Sequence, residues 1–287
     1  MKIADRNGVL NDRPDGQERM LSFFYGTIFG RLLLKLLTRP FISKIAGRFL
    51  STRASCFLIK SFIRKHQIDM ALFQKQKYRS YNEFFSREIL PQMRPIDQNP
   101  DHLISPCDSK LTVLPIGEDT RLVLKNTPYT VSSLLQNDQM AEMFSGGYAL
   151  IFRLTVDDYH RYCHIADGTR EPSVKIKGKL HTVNPIANDY YPIYKENSRE
   201  YTLIHSACLG DYLMMEVGAL LVGRIVNHPN TEFLRGQEKG YFQFGGSTVV
   251  VLLKANVANP DEDILRNSEN GIETKVQMGE KIGIRIM

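Results

Sequence analysis

The residues best suited to chemistry lie near the C-terminus, in the segment Lys239–Lys254, KGYFQFGGSTVVVLLK. Two glycines, Gly245 and Gly246, precede Ser247, and β-forming residues follow it, so we expect a sharp turn just before a strand. A strained serine hydroxyl can attack the carbonyl of its own preceding residue, and Gly246 leaves that carbonyl sterically open. The amide becomes an ester, β-elimination then cuts the chain, and the serine becomes an N-terminal pyruvoyl group. An ordinary β-bulge or hairpin turn is the alternative interpretation.

Such a nucleophile needs a base, and two histidines lie upstream in Val156–Gly168, VDDYHRYCHIADG. An extended backbone places His160 and His164 on the same face, because side chains alternate along a strand. Imidazole titrates near neutrality and can act first as a base and later as an acid. Alternatively, both histidines are hydrogen-bonded structural residues. A metal site is not expected, because the spacing suits ligation from a helix whereas the surrounding residues favour a strand.

A carboxylate that could orient the imidazole is Asp108, in the segment Ile104–Leu111, ISPCDSKL. It follows a turn set by Pro106 and could act like the carboxylate of a Ser-His-Asp arrangement. Taken alone, an aspartate in this position is more typical of an Asx-turn. The sequence therefore offers Asp108, the two histidines and Ser247 as one candidate catalytic set.

Two kinds of element must position these residues. Residues 20–89 have helical periodicity that is interrupted at Pro40, which predicts two to four helices. From about Leu103 onward, short β-branched and aromatic runs alternate with Gly, Asn, Asp and Pro, which predicts many short strands. We therefore expect an α+β fold in which N-terminal amphipathic helices (domain 1–90) flank a β-rich catalytic domain (91–287).

The N-terminal helices have an uneven charge distribution. The chain has a net charge of +6, and the segment Arg31–Lys65 holds nine Lys or Arg residues and no Asp or Glu. No stretch reaches the roughly 18 apolar residues needed to cross a bilayer, so we expect amphipathic helices lying on an anionic membrane surface. Alternatively, these helices pack their apolar faces on the domain. Nucleic acid is not an expected partner, because no further motif supports it.

The composition indicates the size of the core, the character of the N-terminal segment and the redox setting. With 287 residues, 43% of them hydrophobic, the chain is long enough for one large core or two smaller ones. The first nineteen residues are polar and carry both charge signs, which is unlike a signal peptide and predicts a loose arm. The four cysteines stand far apart without a CxxC pair, which indicates a reducing, cytosolic setting rather than disulfides or structural zinc.

From about Tyr81 to the end, the sequence resembles the phosphatidylserine decarboxylase family. Each matching segment is weak alone, but seven in the family's order are highly specific. The segments are YNEFFSREILPQMRPID, ISPCDSKL, YTVSSLL, FRLTVDDYHRYCHIADG, HTVNP, VGALLVGRIV and KGYFQFGGSTVVVLL.

The resemblance implies a role for each matching position. Ser247 in GGST matches the family's processing serine, which implies cleavage between Gly246 and Ser247 into a β chain (1–246) and an α chain (247–287). Asp108 matches the acid of an SPxDG-like motif, although the usual glycine after it is Ser109 here.

The histidines match less simply, because many family members read YHRxH and this chain reads YHRYCH. His160 aligns directly, whereas the second family histidine falls on Cys163, with His164 one place later. We favour His164 as the base for self-cleavage and His160 for proton handling during decarboxylation. His181, in HTVNP, is the least favoured candidate for the base, and we expect it to have a structural role instead.

The resemblance also implies the reaction. The self-derived pyruvoyl group at Ser247 is expected to form a Schiff base with phosphatidylserine and to accept electrons as CO2 leaves, giving phosphatidylethanolamine without any external cofactor. It implies a peripheral enzyme on the cytoplasmic side of the cell membrane, with a homodimer as a possible assembly.

Three other functions fit parts of the sequence. One is a pyruvoyl decarboxylase that acts on another amino-acid substrate. A second is a Ser-His-Asp hydrolase that does not cleave itself, which the absence of a GxSxG elbow disfavours. The third is a non-catalytic membrane-binding module.

Overall fold

The computed structural model describes residues 2–11, 24, 26–27, 29–30, 40–124, 127–179, 193–219, 224–243, 245 and 247–286. Four predicted features lie wholly or partly outside these ranges: Gly246, His181, residues 12–19 of the expected N-terminal arm, and residues 31–39 of the basic segment.

Helices are concentrated between residues 40 and 93. The α-helices are α1 (Pro40–Leu50), α2 (Phe57–His66), α3 (Tyr81–Phe85), α4 (Val131–Leu135), α5 (Asp138–Glu142), α6 (Ile193–Glu196) and α7 (Glu262–Glu269), and 3-10 turns span Arg53–Cys56, Met70–Leu72 and Pro91–Met93.

Strands dominate the rest of the described chain, as the β-branched and aromatic runs predict. They are β1 (Ile3–Ala4), β2 (Leu10–Asn11), β3 (His102–Ile104), β4 (Ser109–Pro115), β5 (Arg121–Leu124), β6 (Thr127–Thr130), β7 (Tyr148–Leu154), β8 (Arg161–Cys163), β9 (Gly168–Arg170), β10 (Val174–Ile176), β11 (Arg199–Ser206), β12 (Gly210–Val217), β13 (Ile225–Asn227), β14 (Glu232–Phe233), β15 (Glu238–Phe242), β16 (Ser247–Leu253), β17 (Ala258–Pro260), β18 (Glu273–Val276) and β19 (Lys281–Arg285). A β-rich α+β architecture is confirmed.

The largest sheet has eleven strands in the order β14-β9-β11-β12-β16-β7-β4-β18-β1-β2, with β10 on the side of β11. The continuous apolar run of β16 is explained by burial on both faces of this sheet. Val249 and Val251 pack into one hydrophobic core, and Val250 and Leu252 pack into another. By the same alternation, Ser247 points to the side of Val249.

A three-stranded sheet, β13-β15-β8, covers the face of the large sheet to which Ser247 points. Tyr162 of β8 and Phe242 of β15 belong to the same core as Val249. Two smaller sheets, β17-β19-β3 and β5-β6, complete the strand pairing. The predicted histidines flank β8 of this small sheet, His160 immediately before the strand and His164 immediately after it.

The helical part has its own apolar cluster, centred on Leu50, Tyr81, Phe84 and Phe85, with side chains of α2 packed against it. Ser80 caps the N-terminus of α3, and its hydroxyl accepts a hydrogen bond from the backbone N–H of Glu83. No helix in the described ranges is long and apolar enough to cross a membrane.

The N-terminal residues depart from the loose arm expected from their polar composition. Strand β1 pairs in parallel with β18. Arg6 forms ion pairs with Asp261 at 2.8 Å and Asp263 at 2.7 Å, and its Nη1 donates to the carbonyl of Lys281 at 2.7 Å. Residues 2–11 are thus attached to the C-terminal segment, while the predicted division at residue 90 stays a prediction.

Candidate active site

Ser247 is the first residue of β16, opposite Leu154 of β7. It is fully buried, and its Oγ has no hydrogen-bond partner among the described residues. Gly245 has φ +132°, a conformation that residues with a side chain rarely adopt, which explains a glycine at this point. The hydroxyl is therefore held in a dry site without a competing hydrogen bond.

His160 immediately precedes β8, and its carbonyl accepts a hydrogen bond from the N–H of Phe242 at 2.9 Å. Its Nδ1 lies 2.9 Å from the backbone carbonyl of Asp158, so Nδ1 carries the proton and donates it. Nε2 then bears a lone pair and has no partner in the described chain. Burial lowers the pKa of His160 to about 4, so the ring is neutral at pH 7.

The turn that holds His160 depends on a buried lysine. Lys110 Nζ donates to both carboxylate oxygens of Asp158, at 2.7 and 2.6 Å, and to Thr155 Oγ1 at 2.6 Å. The Asp158 carboxylate also accepts from the N–H of Thr155 at 2.6 Å. Sequence reasoning missed Lys110 and Asp158, although both lie within segments that match the family.

His164 lies at the other end of β8. Its N–H donates to the carbonyl of Gln237, and its ring stacks on Phe233 with the centroids 3.3 Å apart. Burial lowers the pKa of His164 to about 3, and the positive charge of Lys239 adds to this effect. Its Nδ1 has no hydrogen-bond partner in the described part of the chain. Both predicted histidines thus have a buried, unpartnered nitrogen.

Asp108 differs from its expected role. Its carboxylate accepts from Arg94 Nε at 2.8 Å and Arg94 Nη2 at 2.6 Å, and Oδ1 also accepts from the N–H of Met278 at 2.9 Å. Among the described hydrogen bonds, none joins Asp108 to His160 or His164, and its oxygens accept from Arg94 and Met278 instead. Its catalytic role stays a prediction, and Arg94 is a site residue that sequence reasoning did not single out.

The strand ladders bring two of the four predicted residues, Ser247 and Asp108, to one end of the large sheet. Leu154 of β7 is opposite Ser247, and Arg153, the residue before Leu154, is opposite Lys110 of β4. Asp108 immediately precedes β4, so its loop lies one strand beyond β7 at the same end. The N–H of Cys163 donates to a carbonyl of this loop at 2.9 Å, which joins the loop to β8.

A second buried polar cluster lies beside this end of the sheet. Lys239 occupies a register shift in β15, and its Nζ lies 2.8 Å from Glu216 Oε1 and 3.0 Å from Asn227 Oδ1. Asn227 also accepts from the hydroxyl of Tyr162 at 2.9 Å. Glu216 is opposite Val249, two residues along β16 from Ser247. The bulge thus turns a cation inward, which the sequence pattern alone did not reveal.

The arrangement suits a cofactor made from the chain itself. The buried Ser247 hydroxyl is the orphaned polar atom from which a pyruvoyl group would form, and His160 and His164 are neutral at pH 7. Among the described hydrogen bonds, none joins Ser247 to His160 or His164, so the pairing of the serine with a base stays a prediction.

The chain is similar in sequence to known proteins. Residues 81–284 match the model of the family described as phosphatidylserine decarboxylase. The phosphatidylserine decarboxylase proenzyme 2 of Clostridium acetobutylicum is 49% identical over 265 residues, which cover 92% of this chain and 91% of the relative. The proenzymes of Clostridium botulinum strain Hall and Clostridium novyi strain NT are 40% and 37% identical, over 93% and 99% of this chain and 93% and 97% of their own lengths. The chain belongs to the phosphatidylserine decarboxylase family.

Proposed function

We propose that this chain is a phosphatidylserine decarboxylase that processes itself between Gly246 and Ser247 to make a pyruvoyl group. The observation that carries the proposal is the fully buried Ser247 hydroxyl, which has no partner among the described residues. An unsatisfied buried polar group costs about 1–3 kcal/mol, so it calls for a functional explanation. Family membership and the proenzyme names of the relatives support the same conclusion.

Self-cleavage uses a histidine as base. The histidine removes the Ser247 hydroxyl proton as Oγ attacks the carbonyl carbon of Gly246, and the C–N bond breaks as the amide nitrogen gains a proton. Elimination then expels residues 1–246 as a carboxylate, and hydrolysis of the resulting dehydroalanine releases ammonia. We assign the first proton transfer to His164, whose low pKa keeps its ring unprotonated at neutral pH.

Once formed, the pyruvoyl group supplies a carbonyl that condenses with amines and accepts electrons. The residues of the chain then hold the substrate and manage protons. His160 is suited to carry a proton at Nε2, because its Nδ1 is committed to Asp158. The burial of Ser247 and His160 keeps bulk water away from the reacting carbon.

We propose that α1 and α2 lie on an anionic membrane surface. Phe41, Ile45 and Phe49 are exposed at four-residue spacing along α1, and Phe57 is 71% exposed at the start of α2. Exposed basic residues, Arg48, Arg53, Lys60 and Arg64, flank them. Apolar insertion together with basic attraction is the pattern of peripheral binding, which suits the cytoplasmic side of the cell membrane.

Sedimentation with phosphatidylserine-containing vesicles tests this assignment. Replacing Phe41, Ile45 and Phe49 together by serine should release the protein from the vesicles. The matched control replaces Val174 and Leu234, which are exposed apolar residues elsewhere, and should leave binding intact. Equal binding by both variants would reject the membrane assignment.

Intact-mass spectrometry under denaturing conditions tests self-processing. The wild-type chain should appear as fragments 1–246 and 247–287, the latter without a free amine, whereas Ser247→Ala should stay whole. Thr248→Ala is the matched control, because Thr248 is also buried with an unpartnered hydroxyl and should still permit cleavage. A wild-type chain that stays at 32.9 kDa would favour a hydrolase that does not cleave itself.

A further inference from the structure

Arg87 is a buried cation whose hydrogen bonds are largely unmade. The residue is 2% exposed, and its guanidinium carbon lies 4.1 Å from the ring centre of Phe73 and 4.8 Å from that of Phe84. Nη1 donates to the carbonyl of Phe84 at 3.3 Å, but Nε and Nη2 have no partner in the described residues. In the same ranges, no Asp or Glu forms an ion pair with it.

The other buried basic side chains behave differently. The described residues contain five buried Lys or Arg side chains. Lys110 pairs with Asp158, Arg153 with Glu273, and Lys239 with Glu216, while Arg199 donates to several backbone carbonyls. An unpaired buried charge is strongly unfavourable, so Arg87 is the exception that requires an explanation.

The position of Arg87 connects the proposed membrane helices with the candidate active site. Phe84 and Phe85 belong to the cluster that packs against α2. The ring of Phe85 also lies 4.2 Å from the ring of His160. The charge of Arg87 contributes to the low pKa of His160, after the larger effect of burial. Arg87 therefore contacts, through Phe84, the aromatic cluster that packs against α2 and touches His160.

We propose that the unpartnered edge of Arg87 binds the phosphodiester of the phospholipid head group, an inference that rests on the proposed function. A guanidinium edge matches two oxygens of an oxyanion. The phosphodiester keeps its charge throughout the reaction. The substrate carboxylate, in contrast, loses its charge as CO2 leaves, so pairing it with a permanent cation would stabilise the ground state and slow the reaction. Because the edge is buried, the side chains that cover it have to move as the head group enters.

Steady-state kinetics of Arg87→Met test the proposal with two substrates. Dihexanoyl phosphatidylserine has the phosphodiester, whereas O-hexylserine has the same amine and carboxylate without it. We expect the KM for dihexanoyl phosphatidylserine to rise at least tenfold with kcat nearly unchanged, because the lost contact is the same in ground and transition states. The kcat/KM for O-hexylserine should not change. An unchanged KM, or an equal loss with both substrates, would overturn the proposal.

The unfolding temperature of Arg87→Met distinguishes a role in binding the head group from a role in stabilising the fold. Arg87→Met removes an unpaired buried cation, so it should unfold at the same temperature as the wild type or higher. The matched control is Arg199→Met. It leaves buried backbone carbonyls without their hydrogen-bond donor, so it should unfold at a lower temperature. A strongly destabilised Arg87→Met would assign Arg87 to the fold instead of the ligand.

A binding measurement tests the proposal without replacing Arg87. In Ser247→Ala, dihexanoyl phosphatidylethanolamine should raise the unfolding temperature, whereas dihexanoylglycerol, which lacks phosphate, should not. Equal shifts with both lipids would contradict phosphodiester binding.

The outcomes distinguish the two proposals. If the wild type fails to cleave itself, the proposed function fails. If it cleaves and decarboxylates while Arg87→Met keeps its KM, only this inference fails.

Discussion

The Nδ1 of His160 lies 2.9 Å from the backbone carbonyl of Asp158. This hydrogen bond selects one tautomer and leaves Nε2 as the nitrogen available for chemistry. The carbonyl is itself held in place, because the Asp158 carboxylate is bound by Lys110. A residue on β4 therefore controls the orientation of an imidazole beside β8.

Replacing Lys110 by Met should disturb both stability and catalysis. The change leaves the Asp158 carboxylate buried without its cation, which costs about 3–5 kcal/mol of unfolding free energy. The turn before His160 should loosen, and the decarboxylation rate should fall more than the KM changes. Urea unfolding and steady-state kinetics provide the two measurements.

Lys275→Met is the control for that change. Lys275 is the exposed residue opposite Lys110 in the ladder between β18 and β4. It should leave unfolding and activity near the wild-type values. Equal effects of both substitutions would argue against a specific role for Lys110.

The two histidines should make the protein less stable in acid. Their folded pKa values, about 4 for His160 and about 3 for His164, lie below the ordinary 6.5. Between the ordinary and the folded pKa the unfolded chain binds protons that the folded chain does not, so stability is lost as the pH falls from about 6.5 to about 4 for His160 and about 3 for His164. Denaturant unfolding should show this loss in the wild type and a smaller one in His160→Gln. An equal pH dependence in both would contradict the depressed pKa of His160.

Separate substitutions of the histidines should separate the two reactions. We expect His164→Asn to accumulate the uncleaved chain. His160→Asn should cleave itself but release little CO2 from phosphatidylserine, because Nε2 no longer handles the proton. Mass spectrometry and CO2 release measure the two steps, and the reverse pattern would exchange the assigned roles.

The pair of Arg94 and Asp108 offers another test. Asp108 accepts from the N–H of Met278, so it holds a residue of the proposed α chain. If Asp108 acts mainly through Arg94, Arg94→Met and Asp108→Asn should slow self-cleavage to similar extents. If it orients an imidazole, Asp108→Asn alone should slow cleavage strongly. Timed mass spectrometry of freshly refolded protein distinguishes the two outcomes.

Arg6 should help to retain the proposed α chain. After cleavage, its ion pairs with Asp261 and Asp263 join residues 2–11 to the smaller fragment. Arg6→Ala should release fragment 247–287 at lower urea concentration, with a loss of about 1 kcal/mol in unfolding free energy. Arg121→Ala, which removes an exposed local ion pair, should not change release. Gel filtration in urea measures the retained fragment.

The sequence predicts the strands better than the contacts between them. The β-branched run after Ser247 identifies β16, because this signal is local. The link from Lys110 to Asp158 could not be predicted, because it joins residues 48 positions apart through the order of strands. The pairing of residues 3–4 with β18 is even more remote, and a two-residue strand has no periodic signal.

The position of β16 has a consequence for the life of the protein. The segment that follows the proposed cut is an inner strand, hydrogen-bonded to β12 on one side and β7 on the other. Assembly therefore has to precede scission, so that only correctly folded chains mature. A mature molecule that later unfolds would need two separate polypeptides to find each other again. Its recovery would become concentration-dependent, whereas the uncut precursor would refold as a single chain.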